Sequence, residues 1–235
     1  MASQTPLLSV GCHVVLVDGI PALEPSRVPT LVAPDSSGRF RDSLKRFALL
    51  AAFRKLDPAQ IEAEVTAQIQ KLQAAGIHVS HLDSHKHTHM FPVVLRGMLR
   101  AAKNCGVCAM RNPFEPLIFA RVRNWKRQFQ LRLLRRYRVS FQRALAEAGV
   151  VTPDGCIGIA DTGGLTHETF RGLIEHLPEG AWEFVSHPGY NDAELDTVHT
   201  RLRASREKEL AILTSPDMKG LLKQHEIELI SYRDL

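Results

Sequence analysis

At 235 residues the chain is long enough for one domain with a full hydrophobic core, and its 44% apolar and 23% charged composition excludes a disordered protein. No apolar run approaches the roughly 18–20 residues needed to cross a bilayer. The N-terminal residues lack the basic stretch and cleavage site of a signal peptide, so a cytoplasmic protein is expected. The net charge of +5 comes from one segment, with nine Lys or Arg residues and no acid between Arg121 and Arg143. The remainder is mildly acidic, which argues against nucleic acid as a partner of the whole molecule.

In chain order, Val10–Val17 is an apolar run that reads as a strand, followed by turn chemistry at Asp18-Gly19 and Pro21. Residues 24–43 read as a Pro-, Ser- and Gly-rich loop. Asp57 as N-cap and Pro58 at the first position predict a helix to about Ala75, stopped by Gly76, with Ile61, Val65, Ile69 and Leu72 on its buried face. A strand is predicted at Ile77–Asp83, a helix from Pro92 to Lys103, and a strand at Val107–Arg111. The basic segment reads as a helix running to about Ala148 and ended by Gly149. Further expectations are a strand at Ile157–Ala160, a helix at Thr166–His176, a strand at Trp182–Ser186, helices near 198–213 and 215–224, and a last strand at Glu226–Ser231. Strands alternating with helices point to an α/β fold with a largely parallel sheet, barrel-like or open, in one domain over 1–235. Of the four cysteines, Cys105 and Cys108 form a lone C-x-x-C at a helix-to-strand junction, and both read as packing residues.

The chemistry concentrates in His81-Leu82-Asp83-Ser84-His85-Lys86-His87-Thr88-His89. If the strand ran through this segment, side-chain alternation would place His81, Asp83, His85, His87 and His89 on one face. Two histidines spaced H-x-H on a strand lie roughly 6–7 Å apart at their Cα atoms and can converge on one ion. Asp83 adds a carboxylate, as ligand or as the partner that orients a histidine. Two weaker signals accompany it: His13 in an apolar strand, and His187 at a strand end in Ser186-His187-Pro188-Gly189-Tyr190, a position suited to general acid work.

Together these segments resemble a known family. G-C-H-x-x-L-x-x-G-x-P over 11–21, H-x-D-S-H-x-H-x-H-M over 81–90, S-H-P-G-Y over 186–190, and L-T-S-P followed by I-E-L-I-S-Y near the C-terminus are similar to the YdjC-like carbohydrate deacetylases. The segment Arg111-Asn112-Pro113-Phe114-Glu115-Pro116 looks most like the hopanoid-biosynthesis-associated branch. The resemblance implies a distorted (β/α) barrel and hydrolysis of an N-acetyl group on an amino sugar or glycolipid. It also implies one divalent metal ion, magnesium or zinc, held by an aspartate and two histidines. His13 and His85 match the metal-binding histidines, and His187 matches the residue that protonates the leaving amine. Asp83 is the other candidate catalytic residue, and His87 and His81 are supporting metal or outer-shell candidates.

Family members carry an Asp-Asp-Phe-Gly strand some fifty residues before G-x-H, whereas this sequence has twelve residues before His13 and no Asp-Asp pair. The expectation is therefore a barrel lacking its first β-α unit and one carboxylate ligand. An impaired homologue that binds metal or a partner without turnover, and a different barrel amidohydrolase, are the alternative functions. Arg111, Glu115 and Asp161 lie just past strand ends and are candidate substrate contacts. The apolar stripe Val122, Trp125, Phe129, Leu133, Tyr137 and Phe141 makes the basic helix amphipathic. Such a helix serves as barrel exterior, as the interface of a homodimer, or as a peripheral contact with the inner membrane surface through 121–143.

Overall fold

The computed structural model describes residues 5, 8–35, 37–116, 135–198 and 200–235. The chain divides into two compact units, the first from 1–113, 131–152 and 231–235, the second from 114–130 and 153–230, where the sequence suggests one domain.

In the first unit, β1 (Val10–Val14) pairs in parallel with β2 (Val79–Ser84). Cys12 stands opposite Leu82, His13 opposite Asp83 and Val14 opposite Ser84. Buried Cys12, Val14, Val79 and Leu82 anchor the pair, as expected for parallel strands covered by helices. The strand ends earlier than the apolar run suggests, because the Gln68 amide takes over the pairing at Val15: its Oε1 accepts the Val15 N–H at 2.9 Å and its Nε2 donates to the Val15 carbonyl at 2.7 Å. On the other side of β2 the predicted strand at 107–111 forms only bridges. Leu82 N–H donates to the Ala109 carbonyl at 3.0 Å and Arg111 N–H to the Leu82 carbonyl at 2.9 Å, while Ala109 bridges Val151.

Among the described residues four α-helices cover this unit. α1 (Leu44–Ala52), capped by the Ser43 side chain, lies in a stretch with no helix expectation and buries Phe47. α2 (Pro58–Ala74) begins and ends as predicted, with the Asp57 carboxylate accepting the Ala59 N–H at 2.8 Å and Ile61, Val65 and Ile69 buried. α2 also buries an unforeseen carboxylate: Glu64 is 0% exposed and accepts the Ala22 and Leu23 N–H groups at 2.7 and 3.1 Å. α3 (Pro92–Cys105) ends at Gly106, whose φ of 71° forms the left-handed cap. Of the basic segment, 117–134 lies outside the described residues; its described end continues as a 3-10 turn at Arg135–Tyr137 and α4 (Arg138–Glu147), burying Phe141 and Leu145. Neither cysteine of the C-x-x-C is fully buried, and Cys108 is exposed, so the packing role expected for it is not what the fold provides.

In the second unit, β3 (Gly155–Ile157) pairs in parallel with β4 (Trp182–Phe184). α5 (His167–Glu175) starts in a capping box between Thr166 and Thr169. α6 (Ala193–Asp196), α7 (Ala204–Thr214) and α8 (Pro216–Gln224) follow. Ile157, Leu165, Phe170, Leu173, Ile174, Ile212, Met218 and Leu221 form its core. Each such side chain contributes about 1.5–3 kcal/mol by leaving water.

Two expectations are corrected. The described strands form two separate two-stranded parallel sheets and no closed barrel, because β3 and β4 are three residues long and 107–111 pairs through isolated bridges rather than a continuous ladder. Residues 226–231 form no strand either: Leu229 is 79% exposed, and the segment has no ladder partner among the described residues. Among the described residues no helix is long and apolar enough to cross a membrane.

Candidate active site

The parallel register of β1 and β2 brings His13 and Asp83 face to face near the C-terminal ends of the strands. His13 Nδ1 lies 2.8 Å from Asp83 Oδ2, and Arg111 Nη1 donates to the same oxygen at 2.5 Å. Arg111 arrives there because its own backbone N–H is hydrogen-bonded to Leu82, one residue before Asp83. With Asp83 only 5% exposed, burial alone would raise its pKa, but the His13 hydrogen bond and the Arg111 charge outweigh it and bring the carboxyl down to about 2. The carboxylate is thus ionised and accepts a hydrogen bond from His13 Nδ1–H, which turns the His13 Nε2 outward.

That nitrogen meets His85 Nδ1 at 3.5 Å, the two rings crossing edge to face at 78°. Burial, then the neighbouring His13 and Lys86, lowers the His85 pKa and favours the neutral, metal-binding form. The separation is close to the edge of a tetrahedron with bonds of about 2.0–2.1 Å, so the two imidazoles fit a shared divalent ion. Both His13 and Arg111 engage Asp83 Oδ2, an arrangement that orients His13. Among the described residues no group of three or more His, Cys, Asp or Glu side chains is arranged to hold a metal ion.

The shared-face expectation for the five residues from His81 to His89 fails past Ser84. There the chain leaves the strand for a 3-10 turn, His85–Met90, in which Lys86 and His87 both adopt a left-handed φ of 53°. Two consecutive non-glycine residues in that region cost about 1–2 kcal/mol each, so the surroundings must hold the turn. One tether is Lys86 Nζ, 2.9 Å from the Asp18 carboxylate in the turn that follows β1. His87 therefore does not follow His85 along a strand face, and His89 is turned fully inward against Phe141. His81 stacks on Tyr232 with ring centroids 3.7 Å apart. The same ring lies against Gly11, where a Cβ would come within 2.4 Å of it, so the glycine before Cys12-His13 is required by this contact.

The remaining candidates lie in the second unit. Glu115 is buried and accepts the Gly158 and Ala160 N–H groups at 2.7 and 2.9 Å, clamping the chain just after β3. Asp161 sits in the adjoining turn, its carbonyl accepting the Gly164 N–H at 2.8 Å. His187 is held through its backbone N–H by Glu209 Oε2 at 2.5 Å, and Glu209 on α7 is itself buried. Sequence reasoning missed Glu209, Ser84 and the pairing of Arg111 with Asp83. The one available signal was Arg111 at the end of the strand expected at Val107–Arg111.

The molecule is an α/β protein whose parallel strands present a paired-histidine site backed by a buried carboxylate and arginine. The YdjC-like protein family model matches residues 1–224, and the chain belongs to that family. Carbohydrate deacetylase 1 of Listeria innocua is 31% identical over 244 residues, covering 100% of this chain and 81% of the relative. The carbohydrate deacetylase of Brevibacillus brevis is 28% identical over 236 residues, covering 100% of this chain and 81% of its own length. A solved structure of a cellobiose-phosphate cleavage protein of Enterococcus faecalis shares the fold, with a TM-score of 0.75 at 24% identity, over 99% of this chain and 79% of that one.

Proposed function

We propose that the chain is a metal-dependent hydrolase that removes the N-acetyl group from an N-acetylated amino sugar or its glycolipid conjugate. The observation that carries this reading is the His13 Nε2–His85 Nδ1 pair, 3.5 Å apart and backed by Asp83 and Arg111. The naming of relatives as carbohydrate deacetylases supports the substrate class.

His13 and His85 would hold one divalent ion, magnesium or zinc, and the bound ion would supply an activated water and a counter-charge for the developing oxyanion. Asp83 keeps His13 in the tautomer that presents Nε2, and Arg111 keeps Asp83 ionised. Once the carbonyl carbon is attacked, the amine nitrogen departs only with a proton, and His187 is proposed as its donor. Replacing His187 with Ala should lower kcat by about 10²–10⁴-fold with a smaller change in KM. An unchanged kcat removes His187 from the mechanism.

The glycolipid form of the substrate, of the hopanoid-associated kind, is supported by the Arg111–Pro116 motif and by the basic amphipathic segment 121–143. Co-sedimentation with anionic liposomes at low salt tests it: binding weakened by Arg135/Arg136→Glu supports the membrane-facing reading, and no binding by either protein ends it. A second reading, metal or partner binding without turnover, is favoured by the lack of a three-ligand group among the described residues. Acetate release from N-acetylglucosaminyl substrates decides between the two.

A further inference from the structure

Ser84 is the last residue of β2, where the chain leaves the strand for the His85–Met90 turn. Its side chain is fully buried, and three groups meet on its Oγ: the Thr88 hydroxyl at 3.1 Å, the His89 backbone N–H at 3.0 Å and His89 Nδ1 at 2.5 Å. A serine hydroxyl offers one donor and two acceptor sites. With the Thr88 hydroxyl and the His89 N–H both donating to it, its own proton goes to His89 Nδ1. That nitrogen is therefore the bare one, and the ring proton sits on Nε2. The saturated hydroxyl ties the residue just before the turn to Thr88 and His89 near its end. His85, Lys86 and His87 lie inside the loop so closed, and the left-handed pair Lys86 and His87 is held within it. The far end is anchored in turn, since the His89 ring packs on Phe141 of α4 with centroids 5.9 Å apart.

We propose that Ser84, Thr88 and the buried His89 are positioning residues for His85: the Ser84 hydroxyl closes the turn, and the closed turn aims His85 Nδ1 at His13 Nε2. The inference rests on the reading of His13 and His85 as the metal pair. It also explains why the alternating pattern of histidines breaks where it does. His89 serves as the acceptor that saturates the hub, a role outside the ligand set.

The test is calorimetric titration of Zn²⁺ into the metal-free full chain, with thermal unfolding as a folding control. Ser84→Ala and the isosteric Thr88→Val are each expected to weaken Zn²⁺ binding about 10–100-fold, the range seen when outer partners of metal ligands are removed. Thr88→Ser, which keeps the hydroxyl, should restore binding to within a few-fold of wild type. If Ser84→Ala does not fold, the Thr88→Val and Thr88→Ser pair carries the test alone. In ¹⁵N-edited imidazole spectra of the wild type, the His89 proton should sit on Nε2. Wild-type Zn²⁺ affinity in Thr88→Val, or a proton on His89 Nδ1, overturns the inference. Failure of the underlying reading looks different: the wild type takes up no Zn²⁺, or His13→Ala and His85→Ala bind it undiminished.

Discussion

Asp83 Oδ2 holds two cationic or proton-donating partners at once, His13 Nδ1 at 2.8 Å from the neighbouring strand and Arg111 Nη1 at 2.5 Å from the segment beyond it. A carboxyl held at about 2 in the fold, against an ordinary value of 3.8, stabilises the folded state above pH 4. That contribution fades as the pH falls from about 4 through about 2, where the folded-state group finally takes up its proton. The depression corresponds to roughly 2 kcal/mol. Asp83→Asn should therefore be less stable than wild type by about 2–4 kcal/mol at neutral pH, because it leaves Arg111 without its counter-charge. The gap should close towards pH 2, as read by denaturant unfolding of both proteins at matched pH. A gap that stays constant between pH 6 and pH 2 contradicts the assignment.

Arg111 serves this carboxylate. Its removal in Arg111→Leu should raise the Asp83 pKa, measurable from its ¹³C carboxyl shift against pH, and weaken metal binding more than substrate binding. If KM alone changes, Arg111 belongs to the substrate pocket, as its place past a strand end suggested.

Glu115 provides a contrasting case. Its two acceptor bonds to Gly158 and Ala160 N–H make it a backbone clamp, and hydrogen bonds to a charged group contribute about 1.5–3 kcal/mol each. Glu115→Ala is expected to cost about 2–4 kcal/mol and to speed amide hydrogen exchange at Gly158 and Ala160. Unchanged exchange, with KM raised, would return it to the substrate.

What could be read from the sequence followed from whether local chemistry decided the structure. α2 was legible at both ends, since Asp57, Pro58 and Gly76 impose a start and a stop whatever surrounds them. The paired site was legible in part: His13 and His85 were named, and the parallel register brings them together. The turn at Ser84 was not, because alternating histidines satisfy a strand pattern as well as they satisfy anything else. The left-handed Lys86 and His87 depend on a hub formed by Ser84, Thr88 and His89 that has no sequence signature. The strand expected at 226–231 has the right alternation but no ladder partner among the described residues, and α1 was hidden behind a Pro- and Ser-rich stretch whose last residue, Ser43, is its cap.

The cysteines offer a quick check on the fold itself. Cys12 and Cys156 are buried, and burial, then Asp83, pushes the Cys12 thiol up to about 12, whereas Cys108 is exposed. Under native conditions a water-soluble thiol reagent should label Cys108 first and leave Cys12 and Cys156 unmodified until the protein unfolds. Early labelling of Cys12 would contradict its burial in β1.

The most direct test of the paired-histidine account is acetate release from an N-acetylglucosaminyl substrate, followed as metal is stripped from the protein and returned. Wild-type activity should vanish with chelation and return with added Zn²⁺ or Mg²⁺, and His85→Ala should show no activity under either condition. Acetate release that survives chelation, or that His85→Ala retains at the wild-type level, would contradict it.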